Sequence, residues 1–432
     1  MKTLATIVVL LVFLSAAVGV FAAGEQEEAR GPVTLVVWDF KYGEATGAGP
    51  PFRKMDEMFM DRNPDIKIDH VAQPHDEYYN IVRSVMAAKA GPDVLMFHAE
   101  QRAYEFADLL VSMDDYLAPI RNQFSDSVLL ACTPNRDFAD GIKIAPLTTQ
   151  GLGFYYNKDL FRRAGLDPNK APKAWADFLA ACRQLKSAGT IPIIWGNTPA
   201  YYTNWLIRTL SCNFYGTEGH RGFATGASNF TDKEFRTAIE MMYELRKNDY
   251  LDPVGADMPL FMEAIDKYKA GKGAFFCGLL SDIAHWKDFC DALGKDKVGY
   301  FPNLNHPSAK YKDRQNTMGA GIGWSITSWS NHKDQAAKFV IHYISGDAPL
   351  EFVNQTGALV PNNKIDYSTL GYGVLTDILD YLSKNPVEDF VAYVPAAANN
   401  DLQSYDQLLF NAKEISVDRY IESVQKSLEA NR

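Results

Sequence analysis

The chain has 432 residues, a formal net charge of -10 and 22% charged residues. That length is too great for one typical domain and sufficient for two separate cores. An acidic chain without a basic stripe excludes nucleic acid as a partner and disfavours docking on anionic lipid, because both need clustered Lys and Arg.

Lys2, an apolar run over residues 4–17 and the triplet Val20-Phe21-Ala22 form the pattern of an export signal, residues 1–22. Read differently, residues 4–23 are just long enough for a retained membrane anchor. No Cys adjoins the cut, so no lipoprotein anchor is expected, and the expected location is the periplasm. The five cysteines, Cys132, Cys182, Cys212, Cys277 and Cys290, show no C-x-x-C spacing. No metal or cofactor is expected from them. Cys182 sits in a helical pattern as a small core residue, and a disulfide among the others stays open.

"VTLVVWDF" from Val33 is an apolar run of strand length, followed by a helical pattern over residues 52–60 that ends at Asn63-Pro64. "IKIDHVA" is a second strand. Residues 77–90 carry a helical stripe, Ile81, Val82, Val85, Met86 and Ala90, stopped by Gly91-Pro92. "DVLMF" is a third strand, and residues 101–110 read as a third helix. Strands alternating with helices predict parallel strands joined by crossover helices. In such sheets ligands bind beyond the carboxyl ends of the strands. Residues 38–42 and 97–101 are therefore the first candidates.

"DGIKIAPLTTQGLGFYYN" is strand-like with a break at Gly151. Helical patterns follow over residues 175–187, 204–210, 232–246 and 260–270. "GAFFCG", "VGYFPNL" and "GIGWSITS" read as strands, residues 333–344 as a helix, and the chain from Pro349 as mostly helical. No flexible linker is visible. Two lobes without a linker must share crossing strands, so each lobe is discontinuous in sequence.

Four stretches, in order, carry a resemblance: "AGPDVLMF", then "GIKIAPLTTQGLGFYYNKDLFRRAGLDPNKAPKAWADFLAACRQLK", "YKAGKGAFFCG", and "GIGWSITSWSNHKDQAAKFVIHYIS" with "GALVPNN" after it. The chain resembles the extracellular solute-binding proteins of ATP-binding-cassette importers, family 1, the maltose-binding or sugar type. The resemblance implies an α/β fold of type II, with two lobes, each a mostly parallel sheet flanked by helices and joined by a hinge. On this chain that gives lobe 1 over 31–148 and 306–346, lobe 2 over 151–301 and 350–432, and hinge segments near 147–153, 302–306 and 345–350. It further implies a monomer without catalysis that traps a mono- or oligosaccharide and delivers it to a membrane permease.

A neutral sugar presents apolar C–H faces and a rim of hydroxyls, so its site stacks aromatics and ends hydrogen bonds on polar side chains. Trp38 and Asp39 end the first strand, with Lys41 and Tyr42 behind them. Phe97, His98, Glu100 and Gln101 follow the third. Gln150 stands at the lobe crossing, where the maltose binder has a carboxylate. Asn197, Tyr201 and Tyr202 in "GNTPAYYTNW" are the expected wall of the second lobe, with Trp195 and Trp205 as alternatives. After "GAFFCG" the family's aromatic platform is replaced by Gly278-Leu279-Leu280, leaving Ser281, Asp282 or Trp286 as substitutes. Trp324 is a further candidate wall, and Gly319 and Gly321 offer backbone amides. A glycosidase needs two carboxylates at a set separation, and no G-x-S-x-G, H-E-x-x-H or P-loop is present. A phosphorylated polyol is the alternative solute, and a secreted carbohydrate-active enzyme a more distant one.

Overall fold

The computed structural model describes residues 32–432 apart from 46, 100–104, 199, 258–260 and 281–284. The expected export signal lies outside the described residues. Strands are β1 (Val33–Asp39), β2 (Ile66–Ala72), β3 (Val94–His98), β4 (Ala145–Pro146), β5 (Thr149–Asn157), β6 (Ile191–Ile193), β7 (Gly273–Leu279), β8 (Val298–Phe301), β9 (Gln315–Ala320), β10 (Ile322–Ile326) and β11 (Pro386–Glu388). They form two sheets, β2-β1-β3-β10-β4 and β11-β9-β5-β7-β6, with β8 also on β5.

In each sheet one strand runs against all the others. In the first it is β10, antiparallel to β3 and β4. In the second it is β5, antiparallel to β7, β8 and β9. Each reversed strand is the first that its sheet receives from the other lobe. All remaining strands therefore run toward the crossing, and their carboxyl ends collect there.

Helices cover the sheets. The helix Gly49–Arg62 buries Phe52, Met55 and Phe59, and Lys333–Ile344 buries Phe339, Val340 and Tyr343 on the same face. Their rings meet Trp324: Phe52 at 5.9 Å, Phe339 at 5.9 Å and Tyr343 at 5.2 Å between centroids. The second core gathers Tyr155, Phe178, Tyr202, Phe276 and Trp286. Asn157 explains the abrupt strand-to-helix change after β5. Its side-chain oxygen accepts from the amides of Asp159 (2.9 Å) and Leu160 (3.1 Å), capping the helix Lys158–Arg163.

Several expectations need correction. The third helix is not formed in its described part, where Ala107–Leu109 is a single 3-10 turn. The helical pattern at 204–210 belongs to a longer element, Tyr201–Thr225, broken at Gly216. The first crossing lies at 147–149, between β4 and β5. The second is not at 302–306, because β9 still pairs with β5 and the chain changes sheets only at Gly321. The third is not at 345–350. The helix Ala348–Thr356 stays with lobe 1, where Phe352 stacks on Phe52 at 5.2 Å. Leu359 touches the second core, but Ala358, Val360 and Ile365 belong to the first, and the change comes between Ile365 and Val374, which is buried in the second. The Leu359 carbonyl accepts from the Thr149 amide at 2.7 Å, tying this segment to the first crossing.

All five cysteines are buried free thiols, so no disulfide forms. Burial pushes the thiols of Cys277 and Cys290 up to about 12, which makes them inert core residues. Among the described residues no helix is long and apolar enough to cross a membrane, and no cluster of metal-ligating side chains occurs.

Candidate functional site

The carboxyl ends of β1 and β3 form the lobe 1 rim. Leu35, Val37 and Asp39 alternate inward along β1, so Trp38 points to the opposite face and stays half-exposed. Phe40 lies flat on His98, with centroids 4.9 Å apart and planes 16° apart. The Tyr79 hydroxyl is 2.8 Å from His98 Nδ1 and accepts from the His98 amide at 3.0 Å, fixing the ring at the end of β3. Lys41 is nearly buried, 3.6 Å from Glu44.

Beneath this rim lies a charged cluster. Asp39 is wholly buried. Its Oδ1 accepts from the amides of Lys41 (3.0 Å) and Tyr42 (2.8 Å), closing the turn after β1. Its Oδ2 faces His70 Nε2 at 3.4 Å, while His70 Nδ1 meets Asp56 at 2.8 Å. The Tyr343 hydroxyl donates to Asp56 at 2.5 Å. Burial alone would lower the His70 pKa, but the two carboxylates more than offset it and raise it to about 9. Tyr42 covers the cluster, its ring 3.9 Å from that of His70. Burial and the nearby Asp56 push the Tyr42 phenol up to about 12.

At the crossing, Gln150 is half-exposed opposite Gly319, and the β5–β9 register slips between Gln150 and Gly151. Its main-chain oxygen accepts from Thr317 Oγ1 at 3.1 Å. Its side chain lies over Gly321, where an added Cβ would sit 2.9 Å from Gln150 Cγ. Gly151 and Gly153 leave no room for a side chain. A Cβ at Gly151 would sit 2.6 Å from the Asn316 carbonyl, and one at Gly153 would run into the Tyr300 ring. Both permit close packing. The left-handed glycine of the crossing is Gly319, at φ +79°.

In lobe 2 the carboxyl ends of β6 and β7 face the same edge. Tyr201 opens its helix and is 38% exposed. Trp205, one turn on, is almost buried and lies roughly parallel to it, centroids 6.5 Å apart. His285 is wholly buried, and its Nδ1 accepts from the Leu279 amide at 3.0 Å, closing the end of β7.

The structure thus brings Trp38, Gln150 and Tyr201 to the crossing edge with side chains accessible. It removes others from it. Asp39 and Asn197 are structural. Asn197 accepts from the Thr203 amide (3.0 Å) and donates to Asn411 (2.6 Å), bracing the helix start. Phe97 is wholly buried against Phe106 and Tyr79. Tyr202 is buried edge-on against Phe276, Trp324 is enclosed in a strand buried on both faces, and Trp286 is core. Trp195 is likewise core, donating to the Asp252 carbonyl at 2.8 Å. Glu100, Gln101, Ser281 and Asp282 lie outside the described residues. The Phe40–His98 stack was missed as a unit. The last position of a buried strand, where His98 stands, was its available signal.

Residues 42–348 match the family described as bacterial extracellular solute-binding protein. One relative is the sn-glycerol-3-phosphate-binding periplasmic protein UgpB of Shigella dysenteriae, 24% identical over 379 residues, covering 84% of this chain and 80% of that one. The maltose-bound MalE3 of T. maritima has a similar fold at TM-score 0.73 and 18% identity, covering 92% of this chain and 99% of that one. So does a sugar transporter of Bacillus licheniformis in complex with stachyose, at TM-score 0.69 and 15% identity, covering 93% and 100%. With the match spanning well over half of its length, the chain belongs to the bacterial extracellular solute-binding protein family.

Proposed function

We propose that the protein captures a carbohydrate at the crossing edge, outside the cytoplasmic membrane and most consistently in the periplasm, without catalysis, and hands it as a monomer to the permease of an importer. The observation that carries this reading is the set of half-exposed groups where the strand ends converge: Trp38 from lobe 1, Gln150 from the crossing and Tyr201 from lobe 2. Two aromatic surfaces and an amide suit the apolar faces and hydroxyl rim of a neutral sugar. The crossings at 147–149, 319–321 and 365–374 act as the hinge in this reading. Closure follows from tighter ligand binding by the closed form than by the open one. Glu100, Gln101 and Asp282 remain proposed contacts on the strength of their positions in the sequence.

A second solute class has support of its own. The relatives named for sn-glycerol 3-phosphate, with Lys41 at the end of β1, favour a phosphorylated polyol. Thermal-shift screening separates the two, using protein unfolded and refolded to strip carried-over ligand. One arm is a panel of mono- and oligosaccharides, the other sn-glycerol 3-phosphate. A true ligand at about 100 times its Kd adds roughly 2.7 kcal/mol, a rise of about 3 °C for a chain of this size. Stabilisation by the phosphate ester alone replaces the sugar reading, and stabilisation by neither arm removes both.

A further inference from the structure

A cavity of about 580 Å³ opens in lobe 2, and none of Trp38, Gln150 and Tyr201 lines it. The start of β6, the end of the helix Lys233–Lys247 and the segment Gln407–Ala412 meet there. Its walls are largely apolar, with Ile191, Pro192, Leu251, Phe410 and Trp195 among them. Three cations border it, Lys186, Arg246 and Lys413, against two carboxylates, Asp249 and Asp252.

Both carboxylates are already matched. Asp252 pairs with Lys267 at 2.6 Å, a residue outside the lining, and Asp249 with Lys186 at 3.4 Å. Among the described residues Arg246 forms no ion pair. Its guanidinium donates to the Leu409 carbonyl at 2.6 Å and stands 5.5 Å from the Tyr243 ring centroid. Burial holds it below its ordinary range. Lys413 ends the π-turn Gln407–Ala412 in the left-handed region, at φ +62°. Glycine would fill such a position without strain. A lysine there instead adds a cation at the rim. Neither Arg246 nor Lys413 has a carboxylate partner among the described residues.

We propose that this cavity is a second small-molecule site, separate from the crossing edge, for an organic anion with an apolar body. A carboxylate, sulfonate or phosphate head would meet Arg246 and Lys413, and an aromatic or aliphatic body would rest on Pro192, Leu251 and Phe410. The volume falls within the range of ordinary small-molecule sites. The site stands independently of the sugar reading, because it shares no residue with the accessible groups of the crossing edge.

The test titrates the full chain with anilinonaphthalene sulfonate, an aromatic sulfonate that fluoresces on leaving water. One saturable site per chain is expected. Affinity falls at least about tenfold in Arg246→Met, which keeps the apolar stem and removes the charge. It falls several-fold in Lys413→Gln, and with added salt. Tyr201→Ala leaves it unchanged. Circular dichroism melts check the fold of each variant. If Arg246→Met does not fold, Lys413→Gln and the salt series decide. Absence of saturable binding, equal binding by the charge variants, or loss of binding in Tyr201→Ala would overturn the proposal.

Discussion

Adjacent tyrosines show how position decides role. In a helix, successive residues turn by about 100°, while residues four apart share a face. Tyr201 and Trp205 therefore share one face, and Tyr202 turns into the core against Phe276. Tyr201→Ala should weaken sugar binding by about tenfold, the worth of one stack with its buried area, and leave the melting temperature nearly unchanged. Tyr202→Ala should destabilise by about 3–5 kcal/mol. Calorimetric titration and denaturant melts separate these effects, and equal loss of binding in two stably folded variants would contradict the assignment. His70 supplies a pH prediction. Its folded pKa is raised from 6.5 to about 9 by Asp39 and Asp56 against the effect of burial. The stability it contributes is fully present below 6.5 and is lost as pH rises through about 9. The loss reaches about 1.4 kcal/mol per pH unit for one proton. Urea melts across that window should show a flatter profile for His70→Gln than for the unchanged chain.

Elements of local origin were legible in the sequence. The first three strands of lobe 1 and the two helices between them follow from apolar runs and stop signals written within a few neighbouring residues. The later crossings were not legible, because they are defined by pairing between distant segments. "VGYFPNL" ends a strand locally, yet only the pairing of β9 with β5 shows that the chain is still in lobe 2. The accessibility of the candidate contacts divided in the same way. Trp38 and Gln150 stand near strand and crossing ends and are accessible, whereas Asp39 and Phe97, at equivalent strand ends, are buried. Trp324 looked equally suitable, but β10 lies between β3 and β4 with both faces covered. The crossing itself carries an element-scale prediction. Gly319 is left-handed, and a Cβ there would sit 2.7 Å from the Ala131 methyl. Gly319→Ala should cost about 2 kcal/mol or more through strain and crowding, whereas Gly371→Ala, with nothing within 4 Å, carries only the strain. Paired denaturation curves measure the difference, and equal costs would show that lobe 1 does not crowd the crossing.

At the scale of the molecule, the crossing strands are not the only bond between lobes. Arg136, in the lobe 1 segment between β3 and β4, reaches Glu388 on β11 of lobe 2 at 2.8 Å, and both side chains are nearly buried. The Tyr393 hydroxyl donates to the other Glu388 oxygen, and the Arg136 guanidinium stands 5.1 Å from the Tyr393 ring centroid. Removing one member of such a pair strands a buried charge, which typically costs about 3–5 kcal/mol. The Arg62–Asp347 pair has similar lengths, 2.7 and 2.8 Å, but both side chains are about half exposed. Solvent screening and side-chain entropy reduce its worth to about 1 kcal/mol or less. Double-mutant cycles should therefore give a coupling of at least about 2 kcal/mol for Arg136 with Glu388 and near zero for Arg62 with Asp347. The first pair joins two cores that are otherwise connected by three crossings, so its loss should also reduce their cooperativity. The calorimetric endotherm of Arg136→Ala should broaden or split into two, while that of Arg62→Ala stays single. Strong coupling with an unsplit endotherm would mean that the crossings alone unite the lobes. Weak coupling would mean that Glu388 is satisfied from within lobe 2, by Tyr393, and that the contact across the lobes contributes little to holding them together.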